Sequence, residues 1–258
     1  MTPTCRICAL PTRRVFDLHS SRHGIDVPVY RCAACRAYWS DGGPVNYDDV
    51  DLSGYYLPLA DAIRARYERV FSQLERRIAT GTFLDIGAGM GFSLDVATRR
   101  GWSAQGLEPN RALAQHAQRR GLHVANAYLA DNTPGSFDVV LIDNVLEHVL
   151  DPRTFLQSAS RLLAHDGLMV VAIPPLDWLR RWLSTSAYVR DHVRQPQLNV
   201  FGEADEHVNM LGRRAMRRLA DALGLDLLAE RFHHSPLFDN ALFRALGLDD
   251  GYYFIKLR

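Results

Sequence analysis

The sequence predicts an α/β protein with one large domain and a small N-terminal unit. The chain has 258 residues, enough for one sizeable core plus an appendage. Strand-like apolar runs alternate with amphipathic helical patterns from about residue 60 onward, and all four cysteines lie within the first 35 residues. We therefore expect an N-terminal unit at 1–45, a connector and helix at 46–80, and the large domain at 81–258.

The composition disfavours several classes of protein. The chain is 47% hydrophobic and 23% charged, as globular proteins are, and no apolar run reaches the roughly 18 residues that span a bilayer. A formal net charge of +1 provides no overall field to attract nucleic acid or an anionic membrane. The first residues show no basic flank followed by an apolar stretch, so we expect a cytoplasmic protein without membrane partners.

The cysteines form two Cys-x2-Cys pairs, Cys5 with Cys8 and Cys32 with Cys35, separated by 23 residues. This spacing is typical of a tetrahedral zinc site, because one tight turn aims both thiolates of a pair at one ion. Four thiolates saturate zinc, so we expect a zinc ribbon whose ion stabilises the fold and takes no part in chemistry. Disulfides are disfavoured by the expected reducing compartment, and redox-active pairs by their distance from any strand-to-helix junction.

The connector is polar and aromatic and leads into a helix. Tyr55 and Tyr56 are candidates for covering a ligand, although paired tyrosines more often pack. Apolar residues at three- and four-residue steps predict a helix over 61–78, and Gly81 is expected to end it.

A short strand at 82–86 runs into the turn Gly87-x-Gly89-x-Gly91, and a helix is predicted to follow. Glycines in such a turn let the backbone approach a ligand and adopt positive φ. A second strand at 103–107 ends in Glu108, which is placed to accept the two ribose hydroxyls of an adenosine. This combination predicts a nucleotide-type binding site, with packing glycines as the alternative.

With these motifs the sequence resembles the class I S-adenosylmethionine-dependent methyltransferases. Residues 84–91 resemble the first motif of that family, 137–149 its fourth-strand motif, and 162–171 the helix, turn and strand that follow. Dinucleotide enzymes, by contrast, carry their third glycine one residue later. The resemblance covers about residues 60–232, and the N-terminal zinc ribbon resembles a subgroup found with enzymes that modify sugars and natural products.

The resemblance implies a Rossmann-like sheet of seven mostly parallel strands whose last strand is antiparallel. The candidate strands are 82–86, 103–107, 123–126, 139–142, 168–173, 225–232 and 252–257.

The resemblance also implies how S-adenosylmethionine is held. Asp85 is expected to order the glycine loop, and Glu108 to hold the ribose. The other expected cofactor contacts are Gly87, Ala88, Gly89 and Gly91 in the turn, Pro109 beside the ribose, Ala127 and Tyr128 flanking adenine, and Asp143 and Asn144 along the methionine moiety.

Two histidines are candidates for a general base. Methyl transfer from a sulfonium is an in-line displacement, so alignment does most of the work and a base assists where the nucleophile carries a proton. His148 follows the fourth strand, and His207 precedes a helix predicted over 212–223. In similar methyltransferases a histidine at the latter point faces the acceptor, which slightly favours His207. Two alternatives stay open: His148 caps or orients the next helix, or Glu147 and His148 bind a divalent ion.

The segment 174–206 is longer than an ordinary connection and rich in aromatic residues, so we assign it to an acceptor lid. The alternative is a packing insert or the contact of a homodimer. A second insert at 235–250 is expected to complete the pocket.

The leading functional hypothesis is methyl transfer to an oxygen, nitrogen or carbon atom of a small-molecule acceptor, a sugar or secondary metabolite, with oxygen favoured. An RNA methyltransferase that grips RNA with its zinc ribbon is the first alternative. It is disfavoured because the Asn/Asp-Pro-Pro-Tyr run of base N-methylases is missing after the fourth strand and because the chain is not basic. The second alternative is a scaffold protein that binds the cofactor without catalysing a reaction.

Overall fold

The structure is a computed structural model that describes residues 3–20, 25–41, 52–173, 207–232 and 251–258. The predicted acceptor lid at 174–206 and the second insert at 235–250 lie outside the described residues. Within the described ranges, no helix combines the length and the apolar character needed to cross a bilayer.

Strands and helices alternate through most of the chain. The strands are β1 (Thr12–Ser20), β2 (Ile25–Cys32), β3 (Tyr38–Ser40), β4 (Thr82–Ile86), β5 (Ser103–Leu107), β6 (Val124–Ala125), β7 (Phe137–Asp143), β8 (Leu163–Ile173), β9 (Asn209–Met210), β10 (Leu225–Phe232) and β11 (Gly251–Leu257). The α-helices are α1 (Ser53–Tyr56), α2 (Ala60–Leu74), α3 (Phe92–Arg99), α4 (Arg111–Arg119), α5 (Pro152–Ser160) and α6 (Arg213–Ala222), and short 3-10 turns occupy Leu57–Leu59 and Leu146–His148.

Seven strands form the predicted mostly parallel sheet, in the order β10-β11-β8-β7-β4-β5-β6. The strands from β8 to β6 pair in parallel. The last strand, β11, is antiparallel to both of its neighbours, as predicted. All seven candidate strands are therefore present, and they differ from their predicted bounds only at the ends.

Alternating side chains of the sheet enter two separate apolar clusters. In β7, Val140 and Ile142 point to one face with the buried residues of α5 and α6, whereas Val139 and Leu141 point to the other face with those of α2, α3 and α4. A sheet buried on both faces explains why its central strands are continuous apolar runs in the sequence.

The N-terminal unit forms a second, antiparallel sheet in the order β1-β2-β3-β9. The first three strands belong to the predicted ribbon. The fourth, Asn209–Met210, comes from the large domain, so the ribbon sheet is completed by chain that follows His207. The sequence analysis missed this strand because two residues show no alternation of apolar and polar side chains.

Helix α2 begins at Ala60 and ends at Leu74, four residues before the predicted end. The amides of Arg77 and Ile78 both donate to the Leu74 carbonyl, 2.8 and 3.0 Å away, which closes the helix in a tight turn. Gly81 therefore does not end the helix. A Cβ at Gly81 would lie 2.2 Å from Oδ2 of Asp138, so the glycine allows that carboxylate to approach the backbone.

Candidate functional site

The glycine turn joins β4 to α3 in the geometry that the sequence predicted. Gly87, Gly89 and Gly91 have φ of 85°, 53° and 77°, and Gly91 is the N-cap of α3. A Cβ on Gly87 would lie 2.4 Å from Cγ2 of Val145, whereas a Cβ on Gly89 would meet no atom within 4 Å. Gly87 is thus required by packing, and Gly89 borders open space that a ligand can enter.

Glu108 closes the turn from the end of β5. Its Oε2 accepts the Gly89 amide at 2.7 Å, and its Oε1 accepts the Asn110 amide at 2.7 Å. Burial raises the pKa of Glu108, while these two amide donors oppose the rise. The acidic side chain predicted to hold a ribose therefore lies directly against the glycine turn.

Asp85 lies beneath the same turn and is fully enclosed. One of its oxygens, Oδ2, accepts a short hydrogen bond from the Ser93 hydroxyl, which ties β4 to the first turn of α3, as expected for a residue that orders the loop. Its Oδ1 is buried and has no hydrogen-bond partner among the described residues. Burial raises the pKa of Asp85 to about 7, and the nearby carboxylates of Asp143 and Glu108 add to the rise.

Asp143 marks the end of β7 and is held by two residues that the sequence analysis missed. Arg66 of α2 lies 2.9 Å from Oδ2 of Asp143, and the Tyr252 hydroxyl donates to the same oxygen at 3.0 Å. Asn144, at a φ of 54°, donates from Nδ2 to Oδ1 of Asp143 at 3.1 Å. Arg66 escaped prediction because one useful arginine does not stand out in a chain whose basic residues are almost all arginine.

These groups surround one cavity of about 860 Å³. The predicted cofactor residues on its wall are Gly87, Ala88, Gly89, Glu108, Pro109, Ala127, Tyr128, Asp143 and Asn144. Asp85 and Gly91 do not line it and act from behind the wall. Asn126 supports the wall at Glu108, since its Nδ2 donates to the carbonyls of Glu108 and Pro109 at 2.9 and 2.7 Å.

Tyr56 lines the cavity from the end of α1, and burial raises its pKa to about 12. Its ring packs edge-on against that of Tyr55 at 5.0 Å. The pair therefore both packs and contributes a wall, with Tyr56 as the member that faces the cavity.

The two candidate bases lie together. Their rings pack edge-on with centroids 4.6 Å apart, and His148 but not His207 is part of the cavity wall in the described residues. His148 sits on the 3-10 turn Leu146–His148, and its Nε2 lies 3.8 Å from Oε1 of the buried Glu147. The donor atoms of Glu147, His148 and His207 all lie within 4.8 Å of one another. We refer to these three residues as the histidine cluster.

The capping alternative for His148 is not needed. Helix α5 is capped by Asp151, whose Oδ1 accepts the amides of Arg153 and Thr154 at 3.1 and 3.0 Å.

The four cysteines converge as a metal site would require. The Sγ atoms of Cys5 and Cys35 are 3.5 Å apart, those of Cys8 and Cys32 are 3.6 Å apart, and all four lie within 4.8 Å of one another. Tetrahedral zinc with Zn–S bonds of about 2.3 Å places sulfurs roughly 3.8 Å apart, so this donor set fits the ion. Hydrogen bonding from Cys35 lowers the pKa of Cys5 to about 5, whereas the same contact raises the pKa of Cys35 and burial raises that of Cys8, so zinc binding would have to release protons from these thiols.

The two cysteine turns have the same backbone. The amides of Ala9 and Arg36 donate back to the carbonyls of Cys5 and Cys32, and both residues adopt positive φ, 56° and 61°. This internal repetition is what two equivalent halves of one tetrahedral site require.

Comparison with known proteins agrees with this fold. A family model described as a methyltransferase domain matches residues 59–230, which is two thirds of the chain. A ubiquinone biosynthesis O-methyltransferase of Caulobacter sp. is 38% identical over 99 residues, covering 34% of this chain and 39% of that protein. The protein of the same name from Rhodopseudomonas palustris is 30% identical over 175 residues, covering 60% and 66%. The chain thus spans less than two thirds of the length of these relatives.

Solved structures show the same fold. The plantazolicin methyltransferase BpumL in complex with SAH superposes with a TM-score of 0.58 at 16% identity, covering 80% of this chain and 88% of that one. An S-adenosylmethionine-dependent methyltransferase from Clostridium acetobutylicum superposes with a TM-score of 0.55 at 11% identity, covering 80% and 97%. The seven-stranded sheet is therefore the Rossmann-like class I methyltransferase fold, and the chain belongs to the methyltransferase-domain family matched over residues 59–230.

Proposed function

We propose that this chain is an S-adenosylmethionine-dependent methyltransferase that methylates an oxygen atom of a small-molecule acceptor. One observation carries the proposal: the glycine turn, Glu108 and Asp143 line a single cavity that extends to His148. A cofactor held by the first three would present its reactive end toward the histidine cluster.

The residues present fit that cofactor. The open space at Gly89 leaves room for a ligand against the backbone, and Glu108 is placed for a ribose. Glu108 and Asp143 bring two carboxylates to the cavity wall, which suits a ligand that carries a sulfonium and an ammonium group. Arg66 lines the cavity beside Asp143 and is the candidate partner for the methionine carboxylate.

S-adenosylmethionine supplies an electrophilic methyl group when it is bound. The protein then has to orient the acceptor oxygen, exclude water and remove the hydroxyl proton. We assign proton removal to the imidazole of His148, because it faces the cavity, with His207 packed against it. The Glu147 carboxylate near Nε2 of His148 stabilises the charged imidazolium that forms. His207, favoured on the sequence alone, remains the second candidate base.

Two observations bear on the class of acceptor. The relatives are named for an O-methylation in ubiquinone biosynthesis, which favours oxygen as the methylated atom. The ribbon resemblance favours a sugar or a secondary metabolite. A panel that offers a phenolic hydroxyl and a sugar hydroxyl of similar size distinguishes the two classes.

The histidine cluster supports a second candidate mechanism. One carboxylate and two imidazoles within 4.8 Å form a donor set suited to a divalent cation, which would polarise the acceptor oxygen in place of a histidine base. Adding Mg²⁺, Mn²⁺ or Zn²⁺ to zinc-loaded protein separates the mechanisms: a rate that saturates with added cation supports the metal, and an unchanged rate supports the base.

The first experiment is calorimetric titration of the purified, zinc-loaded protein with S-adenosylhomocysteine. Binding at micromolar concentration or tighter is expected, and its absence in folded protein would remove the proposal. Labelled S-adenosylmethionine with the acceptor panel then tests turnover. His148→Gln is expected to lower the rate by about 10² to 10⁴ with unchanged cofactor affinity. If only His207→Gln has this effect, His148 is not the base. If the protein methylates RNA and none of the small acceptors, the proposed acceptor class is wrong.

A further inference from the structure

The ribbon sheet ends beside the histidine cluster. Strand β3 pairs with β9 in the register Tyr38 to Met210 and Trp39 to Asn209. The pairing extends toward His207, because the Ser40 amide donates to the Val208 carbonyl at 3.0 Å. The backbone that immediately follows His207 is therefore fixed by the N-terminal ribbon.

Asn209 connects this strand to the turn that carries the other two members of the cluster. The side chain is buried, and its Nδ2 donates to the Leu146 carbonyl at 3.2 Å and, through a short contact, to the Val149 carbonyl. These carbonyls bracket Glu147 and His148 in the chain. One side-chain amide thus hydrogen-bonds to both ends of the turn that contains His148.

The ribbon end of this connection is rigidly packed. Trp39 is buried between the stacked ring of Tyr30, with centroids 4.6 Å apart, and the guanidinium of Arg6, 4.5 Å from the Trp39 ring. The cysteine turns enter the same apolar cluster as Leu146, which directly precedes Glu147, and Leu211, which follows strand β9. The cysteine end of the ribbon is therefore packed against the large domain as part of one apolar cluster.

We propose that the ribbon positions the histidine cluster and that Asn209 is the positioning residue. Pairing of β3 with β9 fixes where His207 leaves the ribbon sheet, and the Asn209 amide fixes the turn of His148 relative to that strand. The contact between the two imidazoles is then set by the ribbon. The catalytic meaning of this arrangement rests on the proposed function, but the arrangement itself can be measured without turnover.

The test is a nuclear Overhauser contact between the ring protons of His148 and His207 in zinc-loaded protein with labelled histidine. Asn209→Leu keeps the size of the side chain and removes both amide donors, so the contact is expected to disappear. Trp39→Leu loosens β3 from the ribbon side and is expected to weaken the same contact. The matched control is Thr82→Val, which removes a partly buried hydroxyl bonded to Asp138 at the opposite end of the sheet and should keep the contact.

The activity readout follows the same pattern. Asn209→Leu is expected to lower kcat on the order of 10²-fold through misplacement of the base, while affinity for S-adenosylhomocysteine stays unchanged. A ring contact that persists in Asn209→Leu overturns the inference, as does its loss in Thr82→Val. If Asn209→Leu does not fold, Trp39→Leu decides in the same way. If the wild-type protein binds no cofactor but the contact between His148 and His207 is lost in Asn209→Leu and kept in Thr82→Val, the proposed function fails and the positioning inference stands.

Discussion

Glu108 accepts the Gly89 amide of the glycine turn with one carboxylate oxygen and the Asn110 amide at the start of α4 with the other, so replacing it tests the cofactor site at one side chain. Glu108→Ala is expected to weaken S-adenosylhomocysteine binding by about 1.5–3 kcal/mol, because a charge-assisted contact is lost. Titration calorimetry measures the change. Glu75→Gln is the control, since Glu75 pairs with Arg100 and Trp102 outside the cavity wall. Equal affinity for wild type and Glu108→Ala would show that the ribose is held elsewhere.

Asp85 predicts an unusual dependence of stability on pH. Its pKa is raised from 3.8 to about 7 by burial, so between these values the folded protein keeps a proton that the unfolded chain releases. Stability therefore falls as pH rises from about 4 to 7, by roughly 2–4 kcal/mol for this group alone. Asp85→Asn removes this titration. Compared with wild type, the variant is therefore expected to have a more favourable free energy of unfolding at pH 8 than at pH 5.

Chemical denaturation at pH 5 and pH 8 measures this effect, with Asp138→Asn as the control. Hydrogen bonds from Thr82 lower the pKa of Asp138, so that carboxylate is ionised at both pH values and its replacement should cost the same at each. An identical pH profile for wild type and Asp85→Asn would mean that Asp85 is ionised in the folded protein throughout this range.

The glycine turn gives a prediction at the scale of an element. Gly89 and Gly121 both have positive φ, and a Cβ on either would meet no atom within 4 Å. Alanine at each position should therefore cost a similar amount of stability, about 1–2 kcal/mol for the left-handed backbone. Only Gly89 lines the cavity, so only Gly89→Ala should also weaken S-adenosylhomocysteine binding. Similar affinities for the two variants would place the ligand away from the turn.

Elements with a strong local pattern were predictable from the sequence. The central strands are apolar runs, and the turn between β4 and α3 combines glycines with a following helix, so these elements were predicted from local pattern. The bounds of β4 and β5 match the prediction, whereas β8 begins at Leu163, before the predicted start at 168. The antiparallel last strand came from the family resemblance, because nothing in residues 251–257 encodes a direction. The pairing of β3 with β9 depends on two short segments about 170 positions apart, which no local pattern reveals.

The same distinction applies to the site. Motif residues such as Glu108 were predicted because they follow strands at fixed positions. Arg66 and Tyr252 were missed because they reach Asp143 from α2 and from the last strand, through contacts that only the tertiary fold creates. Asn209 was missed for the same reason: its partners are backbone carbonyls, which carry no sequence information.

At the scale of the whole molecule, the cysteine site is expected to contribute to the stability of both sheets. Cys5, Cys32 and Cys35 are buried in the same apolar cluster as residues of β7, β8 and α6, so this part of the ribbon is packed into the core of the large domain. We expect one zinc ion per chain, which elemental analysis measures. Its removal should lower the free energy of unfolding by several kcal/mol, less than the roughly 10–16 kcal/mol of isolated zinc-finger peptides, because the surrounding core persists.

Thermal unfolding with and without a strong chelator measures this contribution. A single transition that moves to lower temperature as zinc is removed is expected, because the cysteine end of the ribbon belongs to the same apolar cluster as the large domain. Two separate transitions, of which only a minor one responds to chelator, would instead make the ribbon an independent unit and would weaken its connection to His207. Thiol titration supplies the chemical control. Sulfur separations of 3.5 and 3.6 Å exceed the ~2.05 Å of a disulfide, so four reactive thiols should appear after chelation without any reductant.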